Sequence, residues 1–410
     1  MRDVFISGVG AITPLGPDVE STWNALIAGE RAVAPLADIQ AAGGRTGFAA
    51  RVRGFVGHSE PPSADRAVDF ALHAAEEAVR DAGHSLPHLE HFGRDAAVVV
   101  GSSKGGMLRF ASMHEAWLSR GGSTDALDTF WRDVPPHATA EAVARRFHIA
   151  GGRHCPVAAC ATGTIAVIRG AQMVADGAAE LVLCGAADAS IHPLWLGAFE
   201  RMGVLARPHA IEGAAGACRP FDRERCGFAI GEGAGMLILE SGTALARRRA
   251  NPIARIRSWA LGSDAADLTD ANPDAKVIIQ TLETALERAS LAASQIDLLC
   301  AHGTGTRKND AVEAHAWRTV MGRTADTAPV TGVKGALGHL LGAAGGVETV
   351  FAAEMLRRQC IVPTANHRAY SEDTEGIEVA SQATSTTLTN IIKVSLGFGG
   401  HIAVLILSRP

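Results

Sequence analysis

Apolar, strand-length runs alternate with alanine-rich, helix-length segments along this 410-residue chain, and that alternation restricts the possible fold more than any other feature. The runs at 96–100, 179–184, 235–239 and 253–262 predict strands, and the segments at 65–82, 139–147, 274–290 and 345–358 predict helices. Strands interleaved with helices in this way imply an α/β layered architecture. A hydrophobic content of 47% with 45 glycines is ample for a large core and many tight turns, and the length allows two to three domains.

Charge and cysteine usage narrow the function classes. The net charge is −5 and there is no long basic run, so nothing argues for a nucleic-acid partner. The chain opens on a polar-flanked strand at 3–7, and the expectation is that no signal sequence precedes it. No stretch of eighteen apolar residues occurs, so no membrane span is expected. Seven cysteines, at 155, 160, 184, 218, 226, 300 and 360, are scattered and odd in number, and several sit inside apolar runs. That pattern reads as reduced core thiols of a cytoplasmic protein rather than a disulfide framework. Cys155 and Cys160 lie at the wide limit of zinc-pair spacing, but no second pair follows at finger-like distance, so no metal is expected.

Cys160 stands out among the seven. It sits in Pro156-Val157-Ala158-Ala159-Cys160-Ala161-Thr162-Gly163-Thr164, between a short apolar stretch and a helix-like segment at 165–176. A thiol at a helix N-terminus meets unpaired backbone N–H groups and the positive end of the helix dipole, which favour the nucleophilic thiolate. The alternative is a small buried hydrophobe. Two histidine motifs follow far downstream. One is Ala301-His302-Gly303-Thr304-Gly305-Thr306, with Asp310 and Glu313 beyond it. The other is Val333-Lys334-Gly335-Ala336-Leu337-Gly338-His339, followed by Glu348. Near the C-terminus, Leu396-Gly397-Phe398-Gly399-Gly400-His401 makes a third glycine-rich turn. The stretch from Ala159 to Val167 also echoes 395–404, each setting a strand end against a small-residue turn.

These residues, in this order and over essentially the whole length, resemble a beta-ketoacyl-acyl carrier protein synthase of the condensing-enzyme (thiolase-fold) superfamily, nearest the beta-ketoacyl-ACP synthase II type. The resemblance also takes in Ser7-Gly8-Val9-Gly10-Ala11-Ile12-Thr13-Pro14-Leu15-Gly16, the run Arg219-Pro220-Phe221-Asp222 and Gly231-Glu232-Gly233. It implies a thiolase-like five-layered α/β/α/β/α fold built from two similar halves. We expect an N-terminal half, 1–248, carrying the cysteine and a C-terminal half, 249–410, carrying both histidines.

The chemistry implied by the resemblance is a decarboxylative Claisen condensation. Cys160 would take an acyl group from a carrier-protein thioester, and a malonyl-acyl carrier protein would then lose carbon dioxide and attack the acyl-enzyme. Backbone N–H groups of Cys160 and Phe398 would hold the acyl oxyanion, with Gly399 giving the backbone room. His302 and His339 would donate hydrogen bonds to the enolate. Thr304 and Thr306 would hold the pantetheine arm. Lys334, with Glu348 as partner, is either electrostatic support for the histidines or an ion pair that only orders its loop. Asp310 and Glu313 read as scaffolding. Phe228 and Phe398 read as lining of the acyl entrance or as ordinary core. No cofactor is implied beyond the phosphopantetheine arm of the acyl carrier protein, and the assembly expected is a homodimer or a heterodimer with a ketosynthase-like chain-length subunit.

Three departures from the family pattern point away from ordinary saturated long-chain elongation, to a specialised pathway enzyme such as the ketosynthase of a type II polyketide system. Lys104 stands where an apolar residue usually lines the acyl tunnel, so it either points to solvent or meets a polar or acidic group of an unusual substrate. Arg307-Lys308-Asn309 precedes Asp310 in place of a Pro-Leu-Gly-like run. Val394-Ser395-Leu396 replaces Asn-Ser-Phe. Arg66, Lys104, Arg201, Arg307 and Lys308 are candidates to receive an acidic carrier protein. Two other readings stay open: a chain-length or scaffold subunit with little activity of its own, and a coenzyme A-dependent thiolase. The thiolase reading needs a second cysteine where the Gly-Phe-Gly-Gly turn stands.

Overall fold

In the computed structural model, residues 2–41, 46–57, 65–322, 325 and 328–410 are described. Among them, ten strands form one continuous sheet: β1 (Val4–Ile12), β2 (Ala96–Gly101), β3 (Arg153–His154), β4 (Leu181–Asp188), β5 (Gly233–Ser241), β6 (Ala254–Ser263), β7 (Leu298–Cys300), β8 (Val330–Thr331), β9 (Asn390–Gly397) and β10 (His401–Ser408). The spatial order is β8-β7-β9-β10-β6-β1-β5-β4-β2-β3.

That order contains a repeat. From β1 outward, β1-β5-β4-β2-β3 runs antiparallel, antiparallel, parallel, parallel. From β6 outward, β6-β10-β9-β7-β8 runs through the same sequence of pairings. The two five-stranded units meet where Val4, Phe5 and Ile6 pair antiparallel with Ile256, Arg255 and Ala254. This is the doubling that the resemblance implied.

Helices complete the layers. α1 (Arg66–Asp81) and α2 (His137–Arg146) cover the outer face of the first unit, and α4 (Lys276–Ala289) and α5 (Arg307–Met321) the outer face of the second. α3 (Thr162–Ala175) and α6 (Ala344–Arg358) lie between the two units, giving five layers, α/β/α/β/α. Because helices cover both faces, the strands are apolar on both. Met236 and Ile238 pack under α1, whereas Leu237 and Leu239 face the central helices. Ile402, Val404 and Ile406 pack outward, and Ala403, Leu405 and Leu407 inward. The strands therefore read in sequence as continuous hydrophobic runs rather than alternating ones. Among the described residues, no helix is long and apolar enough to cross a membrane.

The echo at 395–404 is corrected by the structure. Those residues form a β-hairpin, β9 to β10, whereas Cys160 sits on a turn entering a helix. The counterpart of that turn, by its place in the repeat, is Leu341–Ala343, a one-turn 3-10 segment running into α6 as Ala159–Ala161 runs into α3. Both turns open on a non-glycine residue with positive φ, Ala159 at 46° and Leu341 at 52°. The paired helices touch through glycine. A Cβ on Gly345 would lie 2.5 Å from the Thr164 nitrogen, and one on Gly163 would overlap the nitrogen of Gly346. This close approach brings the two helix N-termini together at the seam between the halves.

Candidate active site

Cys160 lies second in its 3-10 turn and is 8% exposed. Thr162 fastens the turn: its hydroxyl donates to Ala159 O at 2.8 Å and accepts from Ala158 N at 2.9 Å. The C-terminal hairpin rests on this turn, because Gly397 has no side chain. A Cβ there would stand 2.7 Å from Ala158 O and 3.0 Å from Ala161 N. Gly399 and Gly400, at φ 84° and 79°, reverse the chain beyond Phe398. The Gly-Phe-Gly-Gly sequence thus sets the Phe398 backbone beside the cysteine turn.

Burial pushes the Cys160 thiol up to about 11, against the opposing pull of the Lys104 and Lys334 ammonium groups. This corrects the expectation of a resting thiolate. The lost solvation of a buried anion outweighs the nearby positive charge, so the group rests as a thiol.

The loop carrying His302 is shaped by two buried carboxylates. Glu313 accepts from the backbone of His302 at 2.5 Å and of Gly303 at 2.8 Å. Asp310 accepts from Phe221 N at 2.7 Å, Thr304 N at 3.1 Å and Gly305 N at 3.1 Å. Thr304 and Thr306 face one another, hydroxyl to hydroxyl, at 2.9 Å. Both carboxylates come from α5, three residues apart and therefore on one helix face.

His339 is held by backbone bonds to Ala229 and Gly231, at 2.7 and 2.8 Å. Its ring meets that of His302 edge to face, centroids 5.5 Å apart, and Phe228 packs on its other side at 5.0 Å. Burial, then the Lys334 charge, holds both imidazoles well below the usual histidine range, so both rings are neutral. Their tautomers follow from their partners. Leu341 N–H donates to His339 Nδ1 at 3.3 Å, and the Lys334 ammonium stands 3.4 Å from His302 Nδ1. With Nδ1 an acceptor in each ring, the proton of each sits on Nε2. The result is two uncharged N–H donors beside the cysteine.

Lys334 also donates to His302 O and to Glu348 Oε1. The second Glu348 oxygen is 2.7 Å from Lys393 Nζ, a fully buried lysine on β9 that our sequence reading passed over. Only a lysine inside a strand-like run could have drawn notice to it.

Lys104 takes neither of its expected positions. Its ammonium meets Ser103 Oγ at 2.5 Å and Asp188 Oδ2 at 3.5 Å, above the ring of Phe199. The acid it meets belongs to its own chain, at the end of β4. Asp188 also accepts from Gly342 N at 3.2 Å, which ties this pair to the turn opposite Cys160.

Cys160, His302, His339, Thr304, Thr306, Phe228 and Phe398 all line one cavity of about 1140 Å³. Arg307 and Lys308 line it too, as does Arg207, which the sequence reading missed; Lys308 is paired with Asp270. Arg66 is not among the lining residues. Its guanidinium is bound to Glu232 at 3.1 Å and packed over Phe70, so it braces α1 rather than offering a docking charge. Arg201, exposed at the end of a helix over Pro193–Arg201, also lies outside the lining.

The beta-ketoacyl synthase N-terminal domain profile matches residues 1–244, and the C-terminal domain profile matches 253–368. The chain belongs to the beta-ketoacyl synthase family. Among its relatives is the tetracenomycin polyketide synthase ketoacyl synthase alpha subunit of Streptomyces glaucescens, 30% identical over 419 residues and covering 100% of this chain and 97% of the relative. The 3-oxoacyl-[acyl-carrier-protein] synthase 2 of Staphylococcus aureus (strain COL) is 30% identical over 413 residues, with 100% and 98% covered. The solved ishigamide ketosynthase/chain length factor superimposes with a TM-score of 0.90 at 31% identity, with 100% and 99% covered. A type II polyketide synthase acyl-carrier protein in complex with its ketosynthase bound to the hexaketide also gives 0.90, at 27% identity and the same coverage. Membership of the beta-ketoacyl synthase family makes this chain a condensing enzyme of the acyltransferase type, with the thiolase-like fold described above.

Proposed function

We propose that this beta-ketoacyl synthase loads an acyl group from an acyl carrier protein onto Cys160 and extends it by two carbons with malonyl-acyl carrier protein. The reading is carried by one observation: two neutral imidazoles, each with its proton on Nε2, line the same cavity as a buried thiol at a helix N-terminus. In the first half-reaction the Cys160 sulfur adds to the thioester carbonyl. The oxyanion is held by the Cys160 and Phe398 amides, and the carrier thiol leaves with the cysteine proton. In the second, the malonyl C–C bond breaks, carbon dioxide departs, and the electron pair becomes an enolate whose oxygen accepts from His302 and His339. The enolate carbon then attacks the acyl-enzyme and expels the Cys160 thiolate, which takes a proton from solvent to restore the thiol. Preorganised donors placed where charge develops are the largest contribution such a site makes. Thr304 and Thr306 hold the pantetheine arm, and Gly399 lets the Phe398 backbone approach.

No outside electron donor or acceptor enters this balance, so the reading calls for no cofactor beyond the phosphopantetheine that carries the substrates. Arg207, Arg307 and Lys308 at the cavity receive the carrier protein. The relatives' kinds support a dimer, either with a second copy or with a chain-length subunit, serving fatty-acid or type II polyketide elongation. All seven cysteines are free, which supports a reducing, cytoplasmic setting. The division at 248/249 belongs to this reading too, with the nucleophile and the histidines contributed by separate halves. A chain-length or scaffold role is the second reading, and the retained thiol within the histidine-lined cavity speaks against it.

The test is intact-protein mass after mixing with a panel of acyl-carrier proteins, with Cys160→Ala as control. A mass gain confined to the unaltered protein supports the reading. No adduct from any acyl chain supports the scaffold role instead.

A further inference from the structure

Lys393 is a buried charge in contact with the site's ion pair that the mechanism above leaves unused. It is 0% exposed, in the middle of β9, paired in the sheet with Cys300 and Leu405. Its ammonium reaches three groups: Glu348 Oε2 at 2.7 Å, Ser395 Oγ at 2.9 Å, and Val394 O. The Glu348 contact is ionic, without hydrogen-bond alignment. Ser395 in turn meets Thr164 Oγ1 at 2.8 Å, on the first turn of α3, the helix that follows Cys160. On the other side, Glu348 bonds Lys334, and Lys334 stands against His302. One carboxylate therefore sits between two buried ammonium groups, in a chain running from the nucleophile's helix to a histidine.

An ion pair of one lysine with one glutamate would be balanced, and burying a further positive charge costs stability unless it is used. The surplus charge is felt unequally. Lys393 depresses both His302 and His339, whereas the leading charges at Cys160 are Lys104 and Lys334, then Asp188 and Glu348. A positive charge behind two neutral donors disfavours their protonation and favours an anion in front of them.

We propose that Lys393 is a positioning residue for carbon dioxide release: by occupying the second oxygen of Glu348 it leaves Lys334 facing His302 with net positive charge behind the enolate site. The inference rests on the function proposed above and divides its two half-reactions. Decarboxylation, which builds negative charge at the histidines, depends on Lys393; acyl loading at Cys160 does not.

The experiment compares the full-length protein with Lys393→Met and Lys393→Gln in two assays: carbon dioxide release from malonyl-acyl carrier protein, and acyl loading by intact mass. Either substitution leaves Glu348 balanced by Lys334, so no orphan carboxylate is created. The expected result is carbon dioxide release lowered about tenfold in kcat, with KM for malonyl-acyl carrier protein and acyl loading unchanged; a unit charge acting through an effective dielectric of about 20 has an effect of this order. Unchanged release in both variants overturns the inference, as does a fall of release and loading together, which marks a structural role.

Should neither variant fold, the pH profile of the unaltered protein decides. The charged and titratable groups around Lys393 are Glu348 on α6, Lys334 on its short helix and Cys300 on β7, and burial holds the Lys393 ammonium below the usual lysine range with Glu348 opposing. Release should therefore fall on the alkaline side while loading climbs, and release that does not fall overturns the inference. An unaltered protein that neither loads nor releases would sink the proposed function, and this inference with it.

Discussion

The turn at Ala159–Ala161 and the turn at Leu341–Ala343 occupy equivalent places in the two halves, and both begin with a strained positive φ. They share little else. At the second position one has Cys160 and the other Gly342. A Cβ on Gly342 would stand 2.6 Å from Ser103 N, so the space that the Cys160 side chain fills in one half is taken by the Ser103–Lys104 loop in the other. The first turn carries the proposed nucleophile. The second is a support, whose Leu341 N–H fixes the His339 tautomer and whose Gly342 N–H holds Asp188. A doubled backbone has been assigned two jobs, and side-chain volume at one position separates them.

The difference can be tested from its largest consequence downward. Cys160→Ala should abolish the acyl-enzyme adduct entirely by intact mass, since no thiol on the opposite turn can substitute. Alkylation of Cys160 by iodoacetamide should accelerate about tenfold per pH unit from pH 7 towards about 11, where the buried thiol ionises. A rate that levels off near neutrality would mean that the helix N-terminus dominates after all. His339→Ala and His302→Ala should each lower carbon dioxide release about a hundredfold to a thousandfold while leaving the adduct in place, the loss expected of one preorganised donor. Equal loss of both steps would deny the separation between the turns.

Smallest is the effect of relieving strain. Ala159→Gly should raise stability by about 0.5–1 kcal/mol in chemical denaturation, because glycine accepts positive φ freely. Leu341→Gly relieves the same strain yet empties a buried site, and should lower stability by about 2 kcal/mol. Opposite signs at equivalent positions would confirm that only the second turn is a packing element.

Much of this was legible in the sequence. The long helices and the fully apolar strands carry their periods openly, and Cys160, His302, His339 and Phe398 stand in short motifs whose small neighbours announce close backbone approach. Two-residue strands such as Arg153–His154 and Val330–Thr331 leave no pattern to read. Residue types point to 395–404 as the counterpart of the cysteine turn. It lies at Leu341–Ala343 because duplication survives in backbone geometry rather than in side chains. Lys104 and Lys393 were opaque for another reason. A buried or half-buried lysine is interpretable only with its acid in view, and Asp188 and Glu348 are distant in sequence.

The seam between the halves has a practical consequence. Cys160 reaches the cavity from one five-stranded unit and both histidines reach it from the other, with the glycine-lined helix contact joining them. A chain severed in the crossover between β5 and β6 would yield two fragments, one with a thiol lacking its donors and one with donors lacking their thiol. Neither fragment could turn over alone, so product would appear only from recombined pairs. The seam is thus a natural place to convert this synthase into a two-part reporter of molecular proximity.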